Sequence, residues 1–510
     1  MKSKTTNIGS GILLAILVMA GVVGCATSKR ERKLPQDPKP APLAEAKTEH
    51  NRTAEVSAKD LNATTESSTV ADTEEVFSID LATALRLAEA EDYQIALAEE
   101  RIVQAKAEMR QAQYLLLPTV SVGASQYHQK GKLQKTDGST REEERSGRMS
   151  GFGSGAVGSG LAGVPGVRAT VDFSEAIFAP LAARQNANAV TAGSLAVKHQ
   201  TLLKVVLAYY ELARAKARVA VARDSFRNAK ELAETTSRFA STGEGLESDA
   251  ERALVEKLVH ERELAKANET LRVQSIRLAE HLRLSQDTLL DPVEEDVVPV
   301  DIMSVDAPLK ELIATALENR PEMNERESLL KRADYRYKEA RLDPFIPKLS
   351  AGYSTGKFGG SAGSSPGALE DRDEFGATIY WELEGLGLSF LQKKKARRSA
   401  QNQARLRLWD TREHIATQVR EGVIHVQSRK RQLELASKAV EHALRSFKLN
   451  RARVFENLGL PIEVLQSLQS LALVRNFYVD AVVDYNESQY RLYVSLGQPP
   501  GSAIAKPARK

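Results

Sequence analysis

The sequence predicts a mainly α-helical chain with a small β portion, in which one long plan is written twice. Three observations lead there. A seven-residue hydrophobic period ends at a proline and returns 229 positions later, from Pro118 to Pro347. After each of these prolines the period drops to two. Then come long stretches without proline, residues 181–291 and 367–460, in which apolar and charged residues alternate at helical spacing.

The chain begins with Lys2 and Lys4, then the uncharged run GILLAILVMAGVVG at residues 11–24, then SKRERK. Fourteen apolar or small residues are too few for a membrane-crossing helix, which needs about 20. Residues 1–24 therefore read as a secretory signal peptide. Val22-Val23-Gly24-Cys25 resembles the lipobox of bacterial lipoproteins, in which the cysteine is acylated and becomes the new N-terminus. Cys25 is the only cysteine of 510 residues, so no intrachain disulfide can form. Ala26 and Thr27 follow it, where lipoproteins kept in the inner membrane tend to carry Asp, so the pattern resembles the outer-membrane class. Replacing Cys25 by Ser is expected to block acylation, because a hydroxyl cannot replace the thiol. Mass spectrometry of the mature N-terminus reads this directly, and an unmodified residue 25 in the natural sequence contradicts it.

Residues 25–76 have no hydrophobic period, and Pro35, Pro38, Pro40 and Pro42 keep the first part extended. They read as a disordered, lipid-anchored tether. Loss of Lys2 and Lys4 with the signal peptide lowers the formal charge from +4 to +2. That balance argues against a nucleic-acid protein, which concentrates basic residues on one face.

The repeated plan divides the rest into a first repeat at 77–300, a second at 301–500 and a flexible tail at 501–510. Helical pattern begins at Phe77. Ile95, Ile102, Met109 and Leu116 form one row of a seam and Ala98, Ala105 and Ala112 the other. Alanine there lets helices approach closely. Met323, Leu330 and Tyr337 with Ala333 and Ala340 repeat the seam, and PTVSVGASQY at 118–127 is answered by PKLSAGYSTG at 347–356.

Each repeat is expected to contribute two strands. Val120, Val122 and Ala124, then Val167, Ala169, Val171 and Phe173, alternate with polar residues in the first. Leu349, Ala351 and Tyr353, then Phe375, Ala377, Ile379, Trp381 and Leu383, do so in the second. Residues of about 130–165 between the first two strands read as a flexible hairpin loop. Four such strands suit a transmembrane β-barrel with Val171, Phe173, Ile379 and Trp381 facing lipid. A soluble sandwich would show the same alternation. Outer-membrane barrels begin at about eight strands, so four close nothing unless several chains combine.

Each second strand runs into a helical hairpin. The first helix extends from Pro180 to about Ala240, breaks at Gly243 and Gly245, and returns from about Leu246 to Leu282. The second hairpin breaks at Gly459-Leu460-Pro461 and ends near Gly497.

Chemical motifs are sparse. Gly153 to Gly158 matches GxGxxG but lacks the strand-before, helix-after order of a dinucleotide loop. Gly352 to Lys357 is one residue short of a phosphate loop and lies in a strand. The eight histidines are dispersed, and His414 and His425 read as solvated residues of a long helix. Carboxylates mainly accompany Lys and Arg at helical spacing. The sequence points to no cofactor, no metal site and no catalytic constellation.

The duplicated helix–strand–strand–hairpin plan resembles the TolC-like outer membrane efflux protein family over roughly residues 77–500. The most specific matches are the helix–proline–strand junctions and the hairpin turns, Gly245-Leu246-Glu247-Ser248-Asp249 and Gly459-Leu460-Pro461-Ile462-Glu463-Val464-Leu465. The resemblance implies a homotrimer whose twelve strands form an outer-membrane barrel and whose twelve helices form a periplasmic tube. It further implies a passive exit duct working with a periplasmic adaptor and an inner-membrane transporter. The turns would then form the periplasmic tip and gate, with Gly243, Gly245, Asp249, Gly459, Pro461, Glu463 and Gln466. Some relatives carry two closely spaced aspartates there. Glu463 and Gln466 occupy those positions here, which departs from a strongly acidic double ring. Protein secretion or metal-ion efflux through the same kind of duct, or a pore-less lipid-anchored coiled-coil scaffold, are the alternative readings.

Overall fold

The structure, a computed structural model, describes residues 76–504 apart from 121–122, 152–166, 286, 304–306, 363–369 and 457–458. The chain divides into Met1–Ala71 and Asp72–Lys510, and every described residue belongs to the second unit. The signal peptide, Cys25, nearly all of the tether and the GxGxxG match at 153–158 lie outside the described residues.

The first half runs β1 (Val76–Ile79), α1 (Leu81–Glu91), α2 (Tyr93–Gln113), β2 (Thr119–Val120), β3 (Gly123–Gln134), β4 (Thr140–Gly151), β5 (Val167–Asp172), α3 (Phe173–Thr242) and α4 (Glu247–Leu282). After β6 (Leu289–Pro292) the order recurs: α5 (Leu309–Asn319), α6 (Pro321–Leu342), β7 (Lys348–Ala362), β8 (Glu370–Tyr380), α7 (Leu388–Phe455) and α8 (Pro461–Ser495). A short α9 (Gly501–Ile504) closes the described chain.

Helix does not begin at Phe77. Val76–Ile79 pairs in parallel with β6, and helix starts only where the Asp80 carboxylate accepts from Thr83 N at 3.1 Å. Asp92 then separates α1 from α2, accepting from Gln94 N at 2.7 Å and Ile95 N at 3.2 Å. Along α2 the alanine seam does what its size allows. Ile95, Ala98 and Ala105 are buried, and Ser194 of α3 comes close enough for its Oγ to donate to Ala98 O at 2.9 Å. Ile102 and Met109 are half-buried, while Leu116 sits exposed in a single 3-10 turn.

Apart from the β1–β6 pair, the described strands form one sheet of six pieces where four strands were expected, and the pairing explains the count. Residues 348–353 of β7 pair with β5, and residues 355–362 pair with β4. β4 and β5 are thus two pieces of one arm. β3 and β2 pair with them in turn, on either side of residues 121–122, and β8 lies along the other side of β7. Four arms result, with β8 at one edge and β2 and β3 at the other.

Part of the expected flexible loop is β-hairpin instead: β3 and β4 pair continuously through Gln134 and Thr140. The turn is built from Lys135 to Ser139, with Gly138 N donating to Lys135 O at 2.9 Å and Gly138 at φ +83. Asp-Gly between two paired arms is a hairpin signal that the charged flanks concealed. Those flanks neutralise one another, since Glu143 pairs with Arg141 and Arg145 and Glu144 lies 3.4 Å from Lys130.

Phe173 and Trp381 fall just outside the strands assigned to them. β5 ends at Asp172, whose carboxylate accepts from Glu175 N at 3.1 Å and so starts α3 one residue later. Pro180 therefore lies inside α3 rather than at its start. β8 ends at Tyr380, and Trp381 directs its Nε1 to Phe345 O at 3.4 Å.

With 70 residues, α3 extends about 105 Å; α7 has 68 residues, whereas the returning arms α4 and α8 have 36 and 35. The unmatched halves of the long helices need other partners. They find them in α2 and α6, and α3 also packs on α6 and α8. Near the sheet the wall is therefore α2, α3, α6 and α7; near the turns it is the two hairpins.

Three apolar clusters hold this shape. The largest surrounds Leu212, Leu278, Leu282 and Tyr490, a second joins α5, α6, α7 and α8 around Ile415, Val419 and Leu492, and the third lies at the turn end. The segment following β6 is fastened by two fully buried amides of α8. Asn486 accepts from Val300 N at 2.8 Å and donates to Val298 O at 2.9 Å, while Gln489 accepts from Met303 N at 3.3 Å.

Charges between α3 and α8 complete the spine. Arg214 reaches Asp484 at 2.8 Å and Asp480 at 3.3 Å, Arg218 reaches Asp480 at 2.7 Å, and Arg429 of α7 meets Asp484 at 2.9 Å.

Candidate functional site

The two hairpin turns are built alike. At the first, Gly243 takes a left-handed conformation at φ +76, its N–H returning to Ala240 O at 3.2 Å while Glu244 N donates to Phe239 O at 2.9 Å. Gly245 then passes so close to the helix end that a Cβ there would stand 3.0 Å from Phe239 Cβ. At the second turn a Cβ on Gly459 would stand 2.9 Å from Arg453 Cβ, six residues back in the same way. Leu246 and Leu460 follow, each an extended residue at the head of the returning helix, and Pro461 is the first residue of α8, where its missing N–H costs nothing.

The predicted acids take equivalent places. Asp249 N donates to Leu246 O at 3.1 Å and Glu463 N to Leu460 O at 3.0 Å, so both stand in the first turn of a returning helix. That position favours negative charge. Asp249 pairs with Arg252 of its own helix at 3.4 Å, and Glu463 pairs across its turn with Arg453 at 3.4 Å. Each acid is thus engaged within its own hairpin. Gln466 is exposed one turn further along α8.

What joins the two turns is apolar. Leu232, Ala233 and Ala253 of the first hairpin pack with Phe447, Val454, Val464, Leu465 and Leu468 of the second. Arg451–Glu231 at 2.7 Å, Arg475–Asp224 at 2.5 Å and Gln469 to Glu256 at 3.0 Å flank that contact. These cross-hairpin partners were not found from sequence. They are separated by more than 200 positions, and no local spacing marks them.

His260 lies buried on α4 with its Nε2 3.2 Å from Glu256. Burial holds the imidazole below its ordinary range, against the attraction of Glu256 and Glu263. The folded chain takes up this proton less readily than the unfolded chain, which protonates it as pH falls below about 6.5. Its contribution to stability is therefore complete above that pH and declines below it. Between pH 7.5 and 5 the unfolding midpoint of the natural protein is expected to fall more than that of His260→Gln; equal falls exclude this assignment.

At the opposite end the register separates two rows of the sheet. Val171 pairs with Leu349 and Leu349 with Ile379, so the three form one apolar row. Thr170, Ser350 and Thr378 form the next row, on the other face. Ile379 is 62% exposed, Val171 half-buried. Below the sheet, Tyr114, Phe345 and Trp381 are all exposed. His414 and His425, read as solvated, are exposed on α7.

Residues 312–498 match the family described as outer membrane efflux protein, a span that covers α5 to α8 and the strands between them. Solved channels match over nearly the whole described chain. The outer membrane protein VceC from Vibrio cholerae is 17% identical with a TM-score of 0.66, over 82% of this chain and 96% of that one. The chain shares the fold of that outer membrane protein. The Campylobacter jejuni CmeC outer membrane channel is similar at 15% identity and a TM-score of 0.65, over 82% and 85% of the two chains. The open state of the Neisseria gonorrhoeae MtrE outer membrane channel gives 17% and 0.62, over 82% and 89%. No curated protein sequence matches. In this fold the paired turns described above form one end of the helical wall and the sheet the other.

Proposed function

We propose that the chain is the outer-membrane exit duct of a multipartite efflux or export system, anchored through Cys25 and assembled as a homotrimer. The observation that carries this reading is the open four-arm sheet, with one apolar and one polar face, mounted on helices about 105 Å long. In one chain the sheet has two edges, and exposed edges invite pairing with another chain. Three chains joined edge to edge give twelve arms, enough to close a barrel with the apolar row outward and the threonine row lining water. Tyr114, Phe345 and Trp381 then stand where aromatic side chains favour the membrane–water boundary. The helical walls continue as a tube across the periplasm, and the turns form its tip, where a periplasmic adaptor linked to an inner-membrane transporter docks. The duct itself supplies no energy; cargo is chosen by those partners. Native mass spectrometry of the detergent-purified protein tests the assembly: three chains are expected, and a monomer excludes the closed barrel.

The tip turns carry a separate prediction. With Asp249 and Glu463 each paired inside one hairpin, their first role is to start the returning helices. Asp249→Asn and Glu463→Gln are then expected to cost a few tenths to about 1 kcal/mol of local stability. If they also line the closed constriction, the double variant raises conductance or changes cation preference at low salt, where charge is least screened. Unchanged conductance and selectivity leave them as helix starters alone.

A further inference from the structure

Between α6 and α7, near the sheet, lies a cleft of about 170 Å³ that holds five guanidinium groups: Arg326, Arg332 and Arg336 from α6, Arg397 and Arg407 from α7. Gln403 is its other polar lining residue, and no carboxylate lines it. Ala333, Ala400 and Ala404 form its sides, so small side chains leave the space open. Arg332 donates to Asn186 Oδ1 at 2.7 Å, Arg336 pairs with Glu339 at 2.8 Å, and Arg326 has only Glu325 at 3.9 Å. Arg397 and Arg407 make no hydrogen bond or ion pair among the described residues. Arg332, Arg336 and Arg397 also border an adjoining cavity of about 440 Å³, in which Glu108 and Glu175 are the acids.

The contrast with the rest of the molecule gives this cleft its meaning. Elsewhere the arginines between helices are matched across the gap: Arg214 and Arg218 with Asp480 and Asp484, Arg451 with Glu231, Arg475 with Asp224. Here the helices bring like charges together instead, and α7 adds more of them. From Lys393 to Arg412 it carries eight Lys and Arg against Asp410 alone. Like charges at close quarters repel unless an anion lies between them. The planar guanidinium fork suits phosphate oxygens, which it can hold with two parallel hydrogen bonds.

We propose that the α6–α7 cleft is a binding site for a phosphate-bearing anion, with Arg397, Arg332 and Arg336 toward one end and Arg407 about 15 Å further along α7. Two sources share this chemistry, a free polyphosphate-type anion and the headgroup of an anionic phospholipid. The site does not depend on the pore reading, since it is complete within one chain.

Titration calorimetry on the full-length protein in neutral detergent at low salt tests it, with tripolyphosphate as one probe and micelles doped with phosphatidylglycerol as the other. Saturable binding is expected for at least one probe. Arg397→Gln with Arg407→Gln should weaken it at least tenfold. Arg412→Gln, on the same helix but outside the cleft, should change it less than twofold. Should the paired variant lose its trimer, Arg397→Lys with Arg407→Lys keeps the charge and removes the forks, and a several-fold loss is expected. Binding of tripolyphosphate assigns the free anion, and binding of the doped micelles alone assigns the headgroup. No saturable binding of either probe, or an equal loss in Arg412→Gln, overturns the proposal.

Discussion

Arginine at Val171 or Ile379 is expected to weaken the assembled form, whereas arginine at Thr170 or Thr378 leaves it intact. The two rows are neighbours, one residue apart, and the register assigns them to opposite faces. Both residues stand one position from the helix-side end of their strand, close to Trp381 at the boundary, so on the lipid side a guanidinium there costs up to about 1 kcal/mol, and threefold assembly repeats that cost in each chain. On the water side the same group is solvated and changes only the charge along the pore. Semi-native gels separate trimer from monomer for all four variants. Equal loss in both rows means that neither face meets lipid, and the duct reading fails with the alternation.

The second large effect is expected midway along the hairpins. Arg214 is only 15% exposed and is held by Asp480 and Asp484, which also hold Arg218 and Arg429. Asp480→Asn with Asp484→Asn takes these acids from three guanidiniums, although Arg214 keeps Glu211 at 3.3 Å and Glu487 at 3.9 Å. Stranding a fully buried charge costs about 3–5 kcal/mol. These acids are partly open to water, so about 1–3 kcal/mol is expected once screening is allowed for. Loss of Arg214 as well should restore part of the stability, since the stranded charge is then gone. Unfolding midpoints of the single, double and triple variants form the cycle that measures this coupling. Strict additivity would show that the contacts are incidental.

How far the sequence could be read depended on the range of the interaction. Helix and strand periods are local, and so the seam through Ile95, Ala98 and Ala105, the breaks at Gly243 and Gly459, and the row through Val171 and Ile379 were all legible. Errors came where a short signal competed with a longer pattern. Val76–Ile79 reads as the start of a helix because the pattern continues into Leu81, yet its partner, Leu289–Pro292, lies more than 200 positions away. Asp172 takes Phe173 from the strand because capping a 70-residue helix outweighs one more pair in the ladder. The Asp137-Gly138 hairpin was hidden by charged flanks, which are neutralised partly within β4, where Glu143 pairs with Arg141 and Arg145, and partly across to Lys130 of β3. Of the tip residues, the turns could be found from Gly, Leu and Pro. The pairing of Glu463 with Arg453, and the ion pairs between hairpins, depend on how the helices meet and leave no spacing to detect.

Three chains are expected to close one water-filled pore. Purified full-length protein added to a planar lipid bilayer measures this directly. Discrete, stepwise conductance is expected, reduced with Ile379→Arg and retained, with altered ion preference, in Thr378→Arg. Folded trimeric protein that inserts and passes no current would contradict it, and would leave a lipid-anchored helical scaffold as the better description.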